Sequence, residues 1–445
     1  MAPLVRSTPA LPVRHVHLGL GAFHRAHQAW YTHVAGDAGI AAFTGRRPDA
    51  AVPLAAQDGL YHLLVRSASG DRAELVTSLS GAYDGADLSA WTEAVASPSV
   101  GVLTLTVTEA AYRRSPSGSL DLSDPSVAAD VASIPGGVAQ TVPGRLVLAL
   151  ASRRASDAGP IAVVPCDNLL DNGPTVASVV VALAGAVSAS LAEWISSNVS
   201  FVSTTIDRIT PATTASDIAE VASLTGFADA APVVTEPFTE WVLAGAFPSG
   251  RPAWEVGGAR FVDDVTPFEQ RKLWLLNGSH SLLAYAAPLR GHATVASAVA
   301  DPVCREWVES WFELASVFLP FSSPDLAPYR ASLLERYENP RIRHNLSQIA
   351  MDGSLKLPIR VLPVVTQARA AGVMPLAGAV ALAGWIAHLR RGVDVRDPRA
   401  SELIPLAQAD DETAVRSLLG VLDAALAEDK ELISVIVETL RDLTR

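Results

Sequence analysis

Lysine stands at only three positions, Lys272, Lys356 and Lys430, among 34 lysines and arginines. In a chain that fills its other cation positions with arginine, a lysine inside an apolar segment raises a chemical question. A guanidinium keeps its proton in any protein setting, whereas a desolvated ammonium can give its proton up and then serve as a base. Lys272 lies in the run Glu269-Gln270-Arg271-Lys272-Leu273-Trp274-Leu275-Leu276-Asn277-Gly278-Ser279-His280. At about 100° per residue, with Lys272 at zero, Glu269 falls at about 60°, His280 at about 80° and Asn277 at about 140°. The four share one arc, and Trp274 and the leucines take much of the remaining circumference, so the spacing predicts a buried helix with a single polar stripe. An amine base, an amide and an imidazole in one cleft suit the oxidation of an alcohol. Lys272 takes the hydroxyl proton, Asn277 holds the developing oxyanion, His280 orients the substrate oxygen, and hydride leaves for a nicotinamide. The same stripe also fits a structural Lys272–Glu269 ion pair with Asn277 and His280 satisfied by backbone.

A nicotinamide needs a dinucleotide site. After the first expected strand comes Gly19-Leu20-Gly21-Ala22-Phe23-His24, a Gly-x-Gly turn opening a helix, where the backbone can approach a pyrophosphate. The third glycine of the usual fingerprint is replaced by His24, so a plain strand-to-helix turn is the competing reading. The second expected strand runs into Gly45-Arg46-Arg47-Pro48-Asp49 instead of ending on an acid. Arg46 and Arg47 are therefore expected near the ribose, admitting NADP beside NAD, unless they are solvated loop cations. Other polar residues stand at strand ends: Glu109, Asp167, Asn168 and Asp207. All could line one crevice at the carboxyl edge of an open sheet, or simply cap turns and helices. Two rival chemistries are disfavoured. The residues four before the lysines are Phe268, Asp352 and Leu426, so no Tyr-x-x-x-Lys pair exists. His24-x-x-His27 has metal-ligand spacing but no evident third ligand, and no metal is expected.

These residues need elements to hold them. The strand candidates are 13–18, 40–44, 102–108, 161–166 and 201–206, alternating with Ala-rich helical stretches. That pattern predicts βαβ units and a mostly parallel sheet of unreadable strand order. Beyond Asp264 the runs 267–289, 301–319, 326–349, 375–391 and 413–443 are all helical in length and pattern. The expected fold class is α/β: a Rossmann-type domain over 1–264 followed by a mostly α-helical domain over 265–445.

Composition excludes several function classes. The 445 residues are 49% hydrophobic, which rules out disorder, and the net charge of −12 is the wrong sign for gripping nucleic acid or an anionic membrane. Cys166 and Cys304 are the only cysteines, consistent with a reducing compartment, and the cytoplasm is expected. The first residues lack the apolar run of an export signal. The apolar stretch 373–387 is too short to span a bilayer and reads as a buried helix.

Nine pieces in order, GLGAFHRAH (19–27), QDGLY (57–61), TLTVTE (104–109), CDNLLDNG (166–173), IDRITP (206–211), VTEPF (234–238), FVDDVTPFEQRKL (261–273), LLNGSHSLLAY (275–285) and DGSLKLPIRVLP (352–363), together resemble the mannitol dehydrogenase family of polyol-specific long-chain dehydrogenases and reductases. The resemblance implies a Rossmann-type N-terminal domain, a helical C-terminal domain and a metal-free active site between them. It makes Lys272 the general base, Asn168 with Asn277 the oxyanion site, and His280 and Asp207 substrate-orienting residues. Glu109 and Glu269 match carboxylates that manage the proton leaving Lys272. It implies NAD as cofactor, and the residues expected to hold it are Gly19, Gly21, Ala22, Phe23, Arg46, Arg47 and Asp167, although Phe43-Thr44-Gly45-Arg46-Arg47-Pro48 departs from the family at the second-strand end; the family includes monomers, and a monomer is expected. The substrate is expected to be a sugar alcohol, as in mannitol–fructose interconversion. The alternative is an aldonate, because 267–285 and 348–363 are equally similar to the fructuronate reductase branch, and Lys356 and Arg360 could then meet the sugar carboxylate. A phosphorylated polyol would require Arg343, Arg360 and Arg369 to converge.

Overall fold

A computed structural model describes residues 1–445 except Arg46 and Arg343. The chain divides into two compact units, Met1–Thr266 and Pro267–Arg445.

In the first unit six strands form one sheet: β1 (Val13–Leu18), β2 (Gly39–Phe43), β3 (Leu79–Tyr83), β4 (Val102–Leu105), β5 (Ile161–Pro165) and β6 (Val199–Phe201). Strands β2, β4 and β5 are buried along their whole length, as continuous apolar runs in a covered parallel sheet must be. The spatial order is β3-β2-β1-β4-β5-β6 and every pairing is parallel. In chain order that is the 3-2-1-4-5-6 arrangement of dinucleotide-binding folds, and it puts the switch point between β1 and β4. Leu18 pairs with both Phe43 and Leu105, so the carboxyl ends of the three central strands lie level. Helices 88–95, 142–155 and 172–187 cover one face through Trp91, Leu146, Leu150, Val176 and Val180. On the other face Tyr31, Trp241 and Trp254 pack against Val102 and Val164.

One expected strand divides. The run 201–206 was continuous in pattern, but the sheet strand ends at Phe201, and β7 (Ser203–Asp207) belongs to a different sheet, antiparallel to β8 (Glu240–Ala244). Val202, fully buried between them, makes the change of sheet. Asp207 is therefore the last residue of β7 and not a residue at the edge of the parallel sheet. The pattern also passed over β3 and the hairpin of Tyr61–Ser67 with Gly70–Val76, to which Val233–Thr235 adds a parallel strand.

Helix α1 (Ala22–Ala26) follows β1 in that unit. Among the described residues the second unit has no strand. Its principal helices are α2 (Thr266–Arg271, beginning at the division), α3 (Gly278–Ala286), α4 (Pro302–Ser316), α5 (Ser323–Glu338), α6 (Gly353–Arg360), α7 (Leu376–Arg391) and α8 (Lys430–Thr444). The apolar stretch read as a buried helix is α7, packed between α3 and α8. Its Gly384 admits the α3 backbone so closely that a Cβ would lie 2.9 Å from the Ala286 nitrogen. No described helix is long and apolar enough to cross a membrane. Helices α2 and α3 were expected to be one regular helix. They are joined instead by a π-helical segment, Lys272–Asn277, which carries two of the predicted site residues.

Candidate functional site

In the first unit the Gly-x-Gly turn sits at the switch point. Gly19 has φ +109°, and a side chain there would collide with the Thr106 carbonyl, so only glycine fits. The N–H groups of Gly19 and Leu20 both donate to the Phe43 carbonyl, at 2.9 and 2.8 Å. The Gly19 carbonyl accepts from Thr106 Oγ1 at 2.8 Å. A hydroxyl has one proton, so Thr106 must accept from His17 Nε2, 3.0 Å away. His17 Nδ1 then accepts from Thr104 Oγ1 at 2.7 Å, and Thr104 accepts from His15 Nε2 at 2.6 Å. The chain of bonds runs in one direction and fixes both rings as neutral Nε2–H tautomers. Burial enforces that neutrality, lowering His15 to about 3 and His17 well below the usual range. His24 stacks on His17 with ring centroids 3.3 Å apart, and it too is held neutral by burial and by the neighbouring rings. His27 is engaged elsewhere, on the Glu240 carbonyl at 3.0 Å and on Gln28, so His24 and His27 do not form a metal face.

The other predicted residues of this unit differ in setting. Ala22 and Phe23 open α1, and Gly21 precedes them in extended conformation, its carbonyl accepting from Arg25 Nε at 3.2 Å. Asp167 is buried at the end of β5, accepting from Tyr112 Oη at 2.5 Å, from the Leu169 N–H at 3.0 Å and from Asn172 Nδ2 at 3.3 Å. Its neighbour Asn168 is exposed at that strand end, and Glu109 is exposed where a short turn follows β4. Asp207 is buried at the end of β7. Arg47 is a surface residue 3.3 Å from Asp49, and Arg46 lies outside the described residues. Sequence reasoning missed Arg208, which follows Asp207 in the IDRITP motif. Its buried guanidinium donates to the Ala26 carbonyl at 2.5 Å and lies over the Trp30 ring, tying the end of α1 down.

In the second unit Glu269, Lys272, Asn277 and His280 lie on the continuous run α2–π–α3. The π segment exists because its released carbonyls find other donors. Gly278 N–H reaches back five residues to Leu273. The Trp274 carbonyl, left without it, accepts from Trp311 Nε1 of α4 at 2.6 Å. Leu275 and Leu276 carbonyls accept from Ser279 Oγ at 2.5 and 3.1 Å, and Leu276 also accepts from Tyr337 Oη at 3.2 Å. Gly278 lies against the Trp311 ring, where a Cβ would come within 2.7 Å. The 100° step therefore fails across Lys272–Asn277. In i→i+5 geometry residue i+5 lies roughly one turn above residue i, which brings Lys272 and Asn277 to one side instead of about 140° apart.

His280 is 6% exposed, flanked by Tyr337 and His344 with ring centroids 4.7 Å away in each case. Its Nε2 is buried without a hydrogen-bond partner. Burial, then the charges of His344, Arg336 and Arg360, hold it well below the ordinary histidine range, so the ring is neutral. Glu269 is buried one turn before Lys272, which is itself half-buried. Lys356 and Arg360 stand one turn apart on α6. Of the arginines a phosphate would need, Arg369 pairs with Asp429 at 2.6 Å and Glu431 at 2.9 Å, and Arg343 lies outside the described residues. Among the described residues, His292, Asp301 and Cys304 bring metal-ligating atoms within 4.8 Å of one another. Arg290 Nε already donates to the shared Asp301 oxygen at 2.7 Å, and burial pushes the Cys304 thiol up to about 11, so nothing argues for a cation there.

The chain is similar to known proteins along nearly its whole length. Residues 13–256 match the mannitol dehydrogenase Rossmann domain and residues 264–444 the mannitol dehydrogenase C-terminal domain. The chain is 37% identical over 441 residues to the D-mannonate oxidoreductase of Escherichia coli, covering 94% of this chain and 90% of that protein. It is 34% identical over 462 residues to the D-arabinitol 4-dehydrogenase of Ralstonia nicotianae, covering 96% and 94%. Among solved structures it resembles the Pseudomonas fluorescens mannitol 2-dehydrogenase ternary complex with NAD and D-mannitol, at 32% identity and a TM-score of 0.80 over 99% of this chain and 94% of that one.

Proposed function

Because the chain belongs to the mannitol dehydrogenase family, we propose that it is an NAD-dependent oxidoreductase interconverting a secondary alcohol of a sugar alcohol or aldonate with the corresponding ketone, with Lys272 as general base and no metal step. The residues at the β1–α1 turn fit a dinucleotide. Gly19 and Gly21 carry no side chain, a Cβ on Gly21 would meet only the Gly19 oxygen at 3.5 Å, and the turn stands at the switch point of the sheet. Gly19, Gly21, Ala22 and Phe23 would hold the pyrophosphate. The exposed Arg47 leaves room for a 2′-phosphate, so NADP belongs in the same assay.

When bound, the nicotinamide accepts the hydride. Everything else falls to the chain's own residues. Lys272 Nζ takes the hydroxyl proton, and Asn277, with Asn168 assigned the same role, donates to the oxygen as negative charge develops on it. His280 contributes Nε2 to that hydroxyl, and Asp207 to the substrate's orientation. Glu269 and Glu109 are the carboxylates assigned to manage the proton leaving Lys272. One proton and one hydride leave, and the carbon becomes a ketone.

The observation that carries this reading is the buried, neutral His280 whose Nε2 has no protein partner, three residues beyond Asn277. A buried polar atom without a partner costs stability unless a ligand satisfies it. The test is initial-rate reduction of NAD and of NADP with D-mannitol, D-arabinitol, D-mannonate and D-altronate. Turnover with at least one supports the reading. No turnover with any, despite saturable binding of the cofactor, ends it.

A further inference from the structure

The peptide joining Gly19 to Leu20 is clamped from both sides of β1. Its N–H, on Leu20, donates to the Phe43 carbonyl at the end of β2 at 2.8 Å, and its carbonyl, on Gly19, accepts from Thr106 Oγ1 just beyond β4 at 2.8 Å. Glycine at φ +109° tolerates this orientation and others, so the two bonds, not the residue type, choose it. A dinucleotide turn works by offering N–H groups to the pyrophosphate. The Gly19 oxygen carries the opposite partial charge, and the Thr106 hydroxyl keeps it engaged at the sheet edge. That hydroxyl is one link of a longer chain. Thr106 can give its single proton to Gly19 or to His17 Nε2, 3.0 Å away, and the second choice leaves the carbonyl without its donor. The choice is made further down. With His17 protonated on Nε2, its Nδ1 accepts from Thr104 Oγ1 at 2.7 Å, Thr104 accepts from His15 Nε2 at 2.6 Å, and every bond points toward Gly19. Run in reverse, the chain would strand the Gly19 oxygen at one end and put a proton on His15 Nδ1, a buried atom with no hydrogen-bond partner, at the other. Both ends favour the same direction. Thr104 is fully buried, and its hydroxyl bonds only to the two rings, so it bears on the turn through His17 and Thr106 alone.

We infer that Thr106 and Thr104 are positioning residues for the cofactor: the relay from His15 through Thr104 and His17 to Thr106 keeps the Gly19 carbonyl from turning toward the pyrophosphate and so raises the affinity for NAD. The inference rests on the reading of the Gly19 turn as the dinucleotide site. NADH binding, followed by fluorescence titration, tests it without any knowledge of the substrate. Valine keeps the shape of threonine and lacks the hydroxyl, whereas serine keeps the hydroxyl.

Thr106→Val should weaken NADH binding by about 10- to 100-fold, the range for an acceptor left unsatisfied, and Thr106→Ser should restore most of it. Thr104→Val should weaken binding by about 3- to 10-fold, the range of one net hydrogen bond, because His17 is then free to draw the Thr106 proton away from Gly19. In the double variant the Thr104 substitution should add nothing, since no Thr106 hydroxyl is left for the relay to aim. That non-additivity separates the relay from a general loosening of the strand, which would weaken binding with or without the Thr106 hydroxyl. Thr106→Val binding equal to wild type, a serine variant as weak as the valine one, no effect of Thr104→Val, or full additivity overturns the inference while leaving the cofactor reading intact. A wild type that binds no NADH overturns the cofactor reading and the inference with it. If a melting curve shows that Thr106→Val does not fold, Thr104→Val beside Thr104→Ser decides: a loss in the valine variant restored by serine upholds the relay, and no loss, or a loss that serine shares, ends it.

Discussion

A histidine at pH 7 is usually poised between two charge states, but His280 is not. Burial is the largest cause, and the cations around it act in the same direction. Its work in the proposed reaction is to hold an oxygen, and a neutral ring does this without competing with Lys272 for the proton. Two outcomes follow. His280→Leu should cut kcat/KM by about 10- to 100-fold, the scale of a lost hydrogen bond to a charge-developing oxygen. The wild-type kcat/KM profile should show no limb with an apparent pKa near the unperturbed histidine value of about 6.5, and such a limb abolished in His280→Leu would mean that the ring titrates after all. At this scale the sequence was informative about residue type and poor about setting. Lys272, Asn277 and His280 stood out because an apolar run has few reasons to carry them. Asp167 was expected as a cofactor contact, and three of its hydrogen bonds go to Tyr112, Leu169 and Asn172. A strand-end aspartate carries no local mark of its partner, because Tyr112 is 55 residues away.

At the scale of the element, the π segment decides whether Lys272 and Asn277 face the same way. Helical periodicity could not reveal it, since the donors that stabilise the widened turns, Trp311 and Tyr337, come from α4 and α5. Their capture of the Trp274 and Leu276 carbonyls offsets the loss of regular α-helical bonding. Trp311→Phe keeps a ring beside Gly278 but removes the donor to Trp274. It should destabilise the protein by about 1–3 kcal/mol, the cost of an unsatisfied buried carbonyl, and lower kcat about 10-fold or more by letting Asn277 swing toward regular helical register. Cofactor affinity should not change. A variant with a lowered melting temperature and wild-type kcat would show that the segment tolerates relaxation and that Trp311 only stabilises. The divided strand at Val202 teaches the same lesson. A β-branched run encodes an extended chain and does not say which sheet each half will join.

For the whole molecule, the alternation of strands and helices followed by helices alone was enough to place the chain in its fold class, because each pattern reflects how its elements bury apolar surface. Strand order was not legible, since it is set by crossovers between segments far apart in sequence. Nor was the cluster of buried histidines beneath the Gly19 turn foreseen, although His15 and His17 alternate with Val16 and Leu18 in the first strand. That cluster makes stability pH-dependent. The folded-state pKa values of the three are depressed, so below about 6.5 the unfolded chain binds protons that the folded chain does not. Stability is then complete above about 6.5 and falls with pH, by up to about 1.4 kcal/mol per unit for each ring. Depressed carboxylates such as Asp301 act only at lower pH, leaving the window from about 6.5 to 5 to histidine. The melting temperature should drop steeply across it and less steeply in His24→Asn, measured by calorimetry at constant ionic strength. Equal slopes would remove His24 from the account.

The central claim is that Lys272 takes the substrate proton. The direct measurement is turnover of Lys272→Ala at neutral pH beside its affinity for NAD, with and without added alkylamine. Loss of kcat by about 10²- to 10⁴-fold is the expected result for a missing general base, with cofactor affinity unchanged and partial recovery on adding the amine. A variant that retains near-normal turnover would contradict the account.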